Sequence, residues 1–234
     1  MFNLVKYKEL DSTNAKAVEL ISEKKDKVAI VAELQKKGKG RRKRSWSSEK
    51  GGIYISLLLK LRRLEKLQYF TLITALSVRN SIKKTLKLST DIKWPNDILY
   101  KNKKIAGILA ETRLGRENYI IIGIGINTNN KIPLLLRRKA ASLSNISGKK
   151  IDNQLLIHSL LCEFESYYKK YQKKNYSALL KEYTRCCITL NKKVKIETNG
   201  RILEGFASSI DENGCLILKQ SNKTIKIIDG TVLI

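Results

Sequence analysis

Two apolar runs, "VAIVAEL" at 28–34 and "IYISLLLKL" at 53–61, enclose the segment "QKKGKGRRKRSWSSEKGG", which carries eight Lys or Arg, one Glu and four glycines. Apolar runs of this length bounded by glycine-rich sequence read as buried strands. Two such strands fix both ends of the segment between them, so it becomes a loop at the edge of a sheet. Its glycines let backbone N–H groups approach an anion, and Arg41, Arg42 and Arg44 supply planar donors for carboxylate or phosphate oxygens. A solvated basic loop and a single-strand nucleic-acid groove draw on the same residue types. Trp46, the one aromatic of the loop, offers a stacking face, whereas a groove for single strands spreads several aromatics along its length.

The chain has 234 residues with 47 Lys+Arg against 21 Asp+Glu, a formal charge of +26. Such an excess is a footprint of polyanion binding. It also accompanies a Lys-, Ile- and Asn-rich residue usage with only two prolines, which a biased genome imposes on proteins of any function. Hydrophobic residues make up 42%, enough for one large core and a second, smaller one, so a folded chain is expected. No stretch approaches the roughly 18 apolar residues of a membrane span, and "MFNLVKYKELDSTN" lacks the apolar centre of a signal peptide, which predicts a cytoplasmic protein. The cysteines, Cys162, Cys186, Cys187 and Cys215, form no C-x-x-C pair, and the single histidine, His158, sits among apolar residues in "LLIHSLL". Reduced structural cysteines and a packed or partly exposed helix histidine follow, so catalysis by a Ser-His or Cys-His pair is not expected.

Along the chain, "DSTNAKAVELISEKK" offers Asp, Ser, Thr and Asn as helix caps ahead of apolar Ala15, Val18, Leu20 and Ile21. Apolar positions between Leu64 and about Leu86 recur at helical spacing and predict a long helix packed on the sheet. "DIKWPNDILYKNKKIAGILAETR" reads as a hairpin turning at Lys101 to Lys103. "YIIIGIGINTN" reads as a buried strand ending in small and polar residues, too apolar for an exposed edge. Residues 152–187 return to helix. Beyond about Leu190, short alternating segments separated by Asn-Gly and Glu-Asn-Gly turns predict a five-strand small barrel. The segment from Lys192 onward holds seven basic and five acidic residues, so the charge excess lies in the first 189 residues.

The loop, hairpin and glycine strand together resemble the biotin–protein ligase family. Its glycine-arginine loop stands here as "QKKGKGRRKRSW", its hairpin as "KWPNDILYKNKKIAGILAE", its G-x-G-I-N strand end as "GIGINTN" and its early S-T-N as "DSTNAKA". Any one alone is weak, since a lone S-T-N is most often a helix cap. Four in the family's order, with a small β tail after them, are specific. The resemblance implies an α+β fold: a mixed sheet with helices against it, related to class II aminoacyl-tRNA synthetase cores, over 1–188, and an SH3-like β domain over 189–234. Members that repress transcription carry a DNA-binding domain ahead of S-T-N. Here eleven residues precede Ser12, which predicts the ligase-only form without DNA binding. The loop departs from the family pattern at Lys39 (usually Arg), at Lys43 (usually Gly) and in "SSEKGG". Lys39 keeps charge without the bidentate fork, and Lys43 raises the question of a positive φ.

The activity implied is two-step: biotin and ATP give biotinyl-5′-AMP, and a lysine of a biotin carboxyl carrier protein, the carrier domain of acetyl-CoA carboxylase, takes the biotinyl group. By resemblance, Ser12, Thr13, Asn14 and Gln35 bind the ureido ring, with simple capping as the alternative for the first three. Lys39, Gly40 and Arg41 wrap the carboxylate and phosphate, and Lys104 stands between them in both steps. Gly107 and Gly123 leave room for the biotin bicycle, while Arg44, Trp46, Asn96 and Asn127 lie on the nucleotide side. Asp97 either holds Mg²⁺ beside the phosphates or helps deprotonate the incoming lysine, and Asn96 has turn capping as its alternative. A homodimer through sheet edges is also implied. The runner-up within enzymes is a lipoate or octanoate ligase. From another class, a basic nucleic-acid-binding module on the same fold would show steeply salt-dependent binding.

Overall fold

The computed structural model describes residues 2–221 and 223–233. Its main element is a seven-stranded mixed sheet built from β1 (Asn3–Leu10), β2 (Val28–Gln35), β3 (Ile53–Lys60), β4 (Asp91–Lys93), β5 (Asp97–Tyr100), β6 (Lys103–Arg113) and β7 (Tyr119–Ile126). The order across it is β1-β2-β3-β7-β6-β5-β4, with β1 parallel to β2 and every other neighbour antiparallel. The apolar "YIIIGIGI" is therefore a central strand, as its composition requires. β1 was not foreseen. Its exposed alternate residues and its Lys6 and Lys8 suit an edge, and charge on an edge discourages pairing with other chains.

The two faces of the sheet are filled differently. Ile53, Ile55, Leu57 and Leu59 of β3 and Ile120, Ile122, Ile124 and Ile126 of β7 alternate onto one face, where α2 (Gln68–Leu86) and α4 (Asn153–Gln172) cover them. α2 starts four residues later than the expected Leu64 and ends at Lys87, which takes the left-handed conformation of a helix stop. The tyrosines of α4 join this core: the Tyr171 ring packs tilted against Phe70 with centroids 4.8 Å apart, a packing role for the Tyr-rich stretch. The predicted helical stretch 152–187 is split in two, with α5 (Tyr176–Cys186) following a left-handed Lys174. Asp152 caps α4 by accepting from the Gln154 and Leu155 N–H groups.

On the opposite face α1 (Thr13–Ser22) covers only part of the sheet, through Ala17 and Leu20 against Val28, Ile30, Leu58, Tyr119 and Ile121. Beyond Ile121 the same alternation brings up Gly123 and Gly125. There the Asn14 amide and the Trp46 indole lie over the glycines around a small hollow. α3 (Leu143–Ser147) is a short helix after a segment that ties back to the sheet by Leu143 N–H donating to the Asn127 carbonyl.

The last five strands, β8 (Lys192–Thr198), β9 (Arg201–Ile210), β10 (Leu216–Lys219), β11 (Thr224–Ile227) and β12 (Thr231–Leu233), make one antiparallel sheet in the order β11-β10-β9-β8-β12. The Asn-Gly signal stands where it was read: Asn199 and Gly200 both have positive φ between β8 and β9. Trp94 N–H donates to Thr189 Oγ1, its indole N–H donates to the Gly214 carbonyl, and Tyr183 OH donates to the Pro95 carbonyl. These bonds lock the Trp94–Asn96 turn between the main sheet, α5 and the C-terminal strands.

Candidate active site

The hollow follows from strand register. Ser56 lies opposite Gly123 and Gly123 opposite Leu109; Tyr54 lies opposite Gly125, Gly125 opposite Gly107, and Gly107 opposite Asp97. These rows form a floor, and "GIGI" places its isoleucines on the filled face and its glycines on the open one. A side chain at either glycine would collide: a Cβ at Gly123 runs into the Asn14 amide, and one at Gly125 comes within 2.5 Å of the Trp46 indole.

One end of the pocket is neutral and polar. Gln35 Oε1 accepts from the Thr13 N–H at 2.8 Å and from Thr13 Oγ1 at 3.0 Å, while Gln35 Nε2 donates to Ser48 Oγ. Ser56 Oγ lies 2.7 Å from Thr13 Oγ1 and 2.5 Å from Asn14 Oδ1, and Asn14 Nδ2 donates to Glu111 Oε2 at 2.8 Å. Ser12 occupies the N-cap position of α1 yet makes no capping bond, and Ser12, Thr13 and Asn14 are all buried. Capping alone is thus not what the S-T-N segment does. Its side chains face the pocket.

The other end is cationic. Lys104 Nζ pairs with Asp97 Oδ1 at 2.6 Å and lies 5.1 Å from the Trp46 ring centroid. In an unbroken strand residues 104 and 107 face opposite sides. The register shift between Ile98 and Leu99 of β5, opposite β6, brings the Lys104 ammonium over Gly107 instead, as bulges near sites re-aim side chains. Arg41 Nη1 donates to Asn96 Oδ1 at 2.7 Å, and Asn96 Nδ2 donates to the Ile108 carbonyl, so both ends of that amide are used. Burial pulls the Arg41 guanidinium down to about 10, with Asp97 acting the other way. Lys93, across the ladder from Asp97, is also lowered by burial.

Ser12, Thr13, Asn14, Gln35, Lys39, Gly40, Arg41, Trp46, Asn96, Lys104, Gly107 and Gly123 all line this one pocket, which gathers most of the residues singled out in the sequence. Asp97 adjoins it through Lys104. Two are placed elsewhere: Arg44 pairs with Glu197 of β8 at 3.0 Å, and Asn127 points its Oδ1 at Asn130 Nδ2. Sequence reasoning missed Ser56, Glu111 and Gly125, whose roles depend on cross-strand register, and also Glu197 and Asp229, which reach the loop from the far end of the chain. His158 lies exposed on α4 with Cys162 Sγ 3.9 Å from its ring, a surface pair away from the pocket.

Trp46 nearly fills the pocket. Its indole lies over Gly107 and Gly125, leaves a cavity of about 50 Å³, and has a buried N–H with no hydrogen-bond partner among the described residues. That is space for a few waters and not for a bicyclic ring, so Trp46 must swing outward for a ligand of that size to reach the glycine floor. As for Mg²⁺, no three His, Cys, Asp or Glu side chains among the described residues are placed to hold a metal ion together. Asp97 is the carboxylate at the pocket's cationic end and it is paired with Lys104. This donor set suits a Mg²⁺ that arrives on ATP phosphates, which needs at most one or two protein carboxylates.

Residues 7–127 match the Biotin/lipoate A/B protein ligase family, and residues 189–232 match the Biotin protein ligase C terminal domain. Among relatives, the bifunctional ligase/repressor BirA of Bacillus subtilis is 35% identical over 97% of this chain and 72% of its own length. The biotin–[acetyl-CoA-carboxylase] ligase of Mycobacterium tuberculosis is 27% identical over 89% of this chain and 79% of its own. The structure of the biotin protein ligase from Aquifex aeolicus in complex with biotin and ATP superposes with a TM-score of 0.88 at 30% identity, covering 100% of this chain and 98% of that one. The fold, the pocket and these likenesses agree: this chain belongs to the biotin/lipoate A/B protein ligase family.

Proposed function

We infer that this protein activates biotin with ATP to biotinyl-5′-adenylate and transfers the biotinyl group to a lysine of a biotin carboxyl carrier protein. The observation that carries the reading is a pocket with a neutral hydrogen-bonding end at Thr13, Asn14 and Gln35, a glycine floor, and a cationic end at Lys104 and Arg41. Biotin has that polarity: a flat ureido ring at one end and a carboxylate at the other. Lipoate and octanoate have a carboxylate but no ureido group, so they would leave the polar end unpaired, a mismatch that sites built to hydrogen-bond punish heavily.

In the first step a biotin carboxylate oxygen attacks the α-phosphorus and pyrophosphate leaves. Two anions must meet, and Lys104, with Arg41 and Lys39 from the loop, offsets their repulsion and fixes their approach. Asp97 orients Lys104, and Asn96 orients Arg41. In the second step the carrier's lysine amine attacks the mixed-anhydride carbonyl, AMP departs, and the amine loses a proton. Trp46, once displaced from the glycine floor, offers the adenine its stacking face. Ser12, Thr13, Asn14 and Gln35 hold the ureido ring, with Glu111 and Ser56 fixing the Asn14 amide.

The same reading divides the chain into a catalytic domain at 1–188 and a C-terminal domain at 189–234, and places the protein in the cytoplasm beside ATP and its carrier. No helix of the described residues is long and apolar enough to cross a membrane. Nucleic acid has no part in the reading, because the arginines of the basic loop engage Asn96, Glu197 and Asp229. A homodimer would form through the open edge of the main sheet at β1, since the outer side of β4 is taken by the Ile188 N–H donating to the Ile92 carbonyl. The direct test is ATP-dependent biotin incorporation into a purified carrier domain, read by avidin blot. Incorporation abolished by changing the carrier's acceptor lysine supports the reading, and none in a folded sample with adenylate present refutes the transfer step.

A further inference from the structure

Four consecutive cations, Arg41, Arg42, Lys43 and Arg44, repel one another at the tip of the basic loop. The backbone there is also strained: Arg42 sits at φ 54°, ψ 42° and Lys43 at φ 59°, the left-handed region that disfavours side chains. Strain of this kind persists only where surrounding structure over-determines it. Glu49, the one carboxylate of residues 35–52, lies beyond the tip, and the counter-charges come from the C-terminal strands.

Arg41 pairs with Asp229. Arg42 reaches Asp229 Oδ2 with both Nε and Nη2 at 3.3 Å and donates to the Glu197 carbonyl at 2.8 Å, and Arg44 donates to Glu197 Oε2 at 3.0 Å. The two acids form one unit, because Thr198 Oγ1 beside Glu197 donates to the Asp229 carbonyl at 2.6 Å. A single exposed ion pair is a weak restraint. Here the Arg41 and Arg42 side chains are only 21% and 23% exposed, the contacts converge, and they act on a loop that would otherwise relax.

We propose that Asp229 and Glu197 are positioning residues for the adenylation site: they clasp the loop so that Arg41 stays aimed at Asn96 and the cationic end of the pocket. The proposal rests on the ligase reading above for its consequence and on geometry alone for the clasp. The carboxylates touch no reacting atom. They act through the three arginines.

The experiment has two readouts on the full chain with Asp229→Asn, Glu197→Gln, both together, and Asp229→Glu. Hydrogen exchange in ligand-free protein reports the clasp through the Gly40, Arg44 and Trp46 amides, each bonded within the loop. The double variant should exchange at least tenfold faster there and no faster in the sheet, and high salt should speed loop exchange in the unmodified protein but not in the double variant. Pyrophosphate exchange with biotin should show KM for ATP raised severalfold in Asp229→Asn, kcat changed less, and recovery in Asp229→Glu. Unchanged loop exchange in a folded double variant would overturn the clasp, and faster loop exchange with an unaltered KM would overturn the positioning role. Loss of activity in the unmodified protein, with loop exchange still faster in the variants, would instead count against the ligase reading and leave the clasp standing.

Discussion

Lys104 Nζ lies 2.6 Å from Asp97 Oδ1, a pairing that depends on the bulge between β5 and β6. The carboxylate holds the ammonium over Gly107, where the reacting carboxylate and phosphate would meet. Lys104→Ala should lower adenylation by about 10² to 10³, the usual loss on removing one transition-state charge partner. Its melting temperature should stay within about 2–4 °C, equivalent to roughly 1 kcal/mol in a chain of this size. Asp97→Asn should lower kcat by less, since the lysine remains. Turnover of Lys104→Ala within a factor of three of the unmodified enzyme would remove that residue from the mechanism.

Trp46 and Trp94 are the two tryptophans, and only Trp46 faces the pocket, Trp94 being 1% exposed within the core. On the proposed reading, biotin reaches the glycine floor only if the indole leaves Gly107 and Gly125. Intrinsic fluorescence should therefore change on adding biotin, and Trp46→Phe should abolish the change. A full signal from Trp46→Phe would mean the indole does not move.

Gly123 gives its space to Asn14, whose amide is held by Glu111 and Ser56. Gly123→Ala should push Asn14 out of line and weaken biotin binding at least tenfold by calorimetry. Glu111→Gln should weaken it less, because an amide still accepts from Asn14 Nδ2. Affinity unchanged in Gly123→Ala would show that Asn14 does not contact the ligand.

Much of this site was legible from local sequence. The S-T-N segment, Gln35, the glycine loop and the G-x-G strand end each sit within a few residues of their motif, whereas room above Gly123 followed only from the family resemblance, a lone G-x-G being usually a tight strand end. What escaped was set by register and by distance along the chain. Ser56 reads as an ordinary polar residue in an apolar strand until β3 pairs with β7. Glu111 reads as an exposed strand end until α1 crosses it. Asp229 and Glu197 lie at least 150 residues from the arginines they hold, and no spacing rule connects them. β1 escaped for a different reason: as an edge strand its lysines mask the apolar alternation, and its partner lies beyond a whole helix.

Lys43 answers a question that the sequence raised, for it holds φ 59° without being glycine. Lys43→Gly relieves about 1 kcal/mol of backbone strain but adds entropy to the unfolded chain by roughly 0.4–1 kcal/mol, so its melting temperature should move little. Lys43→Val, β-branched in a left-handed position, should lose stability or loosen the loop where Lys43→Gly does not. Equal behaviour of the two variants by thermal melting and loop proteolysis would mean that the loop simply refolds around this position.

The most direct measurement of the central claim is pyrophosphate exchange into ATP with Mg²⁺, comparing biotin, lipoate and octanoate in the unmodified protein and in Lys104→Ala. The account predicts exchange with biotin, little with the other two acids, and its near loss in the variant. Exchange driven as well by lipoate or octanoate as by biotin, or none by any acid in a folded sample, would contradict it.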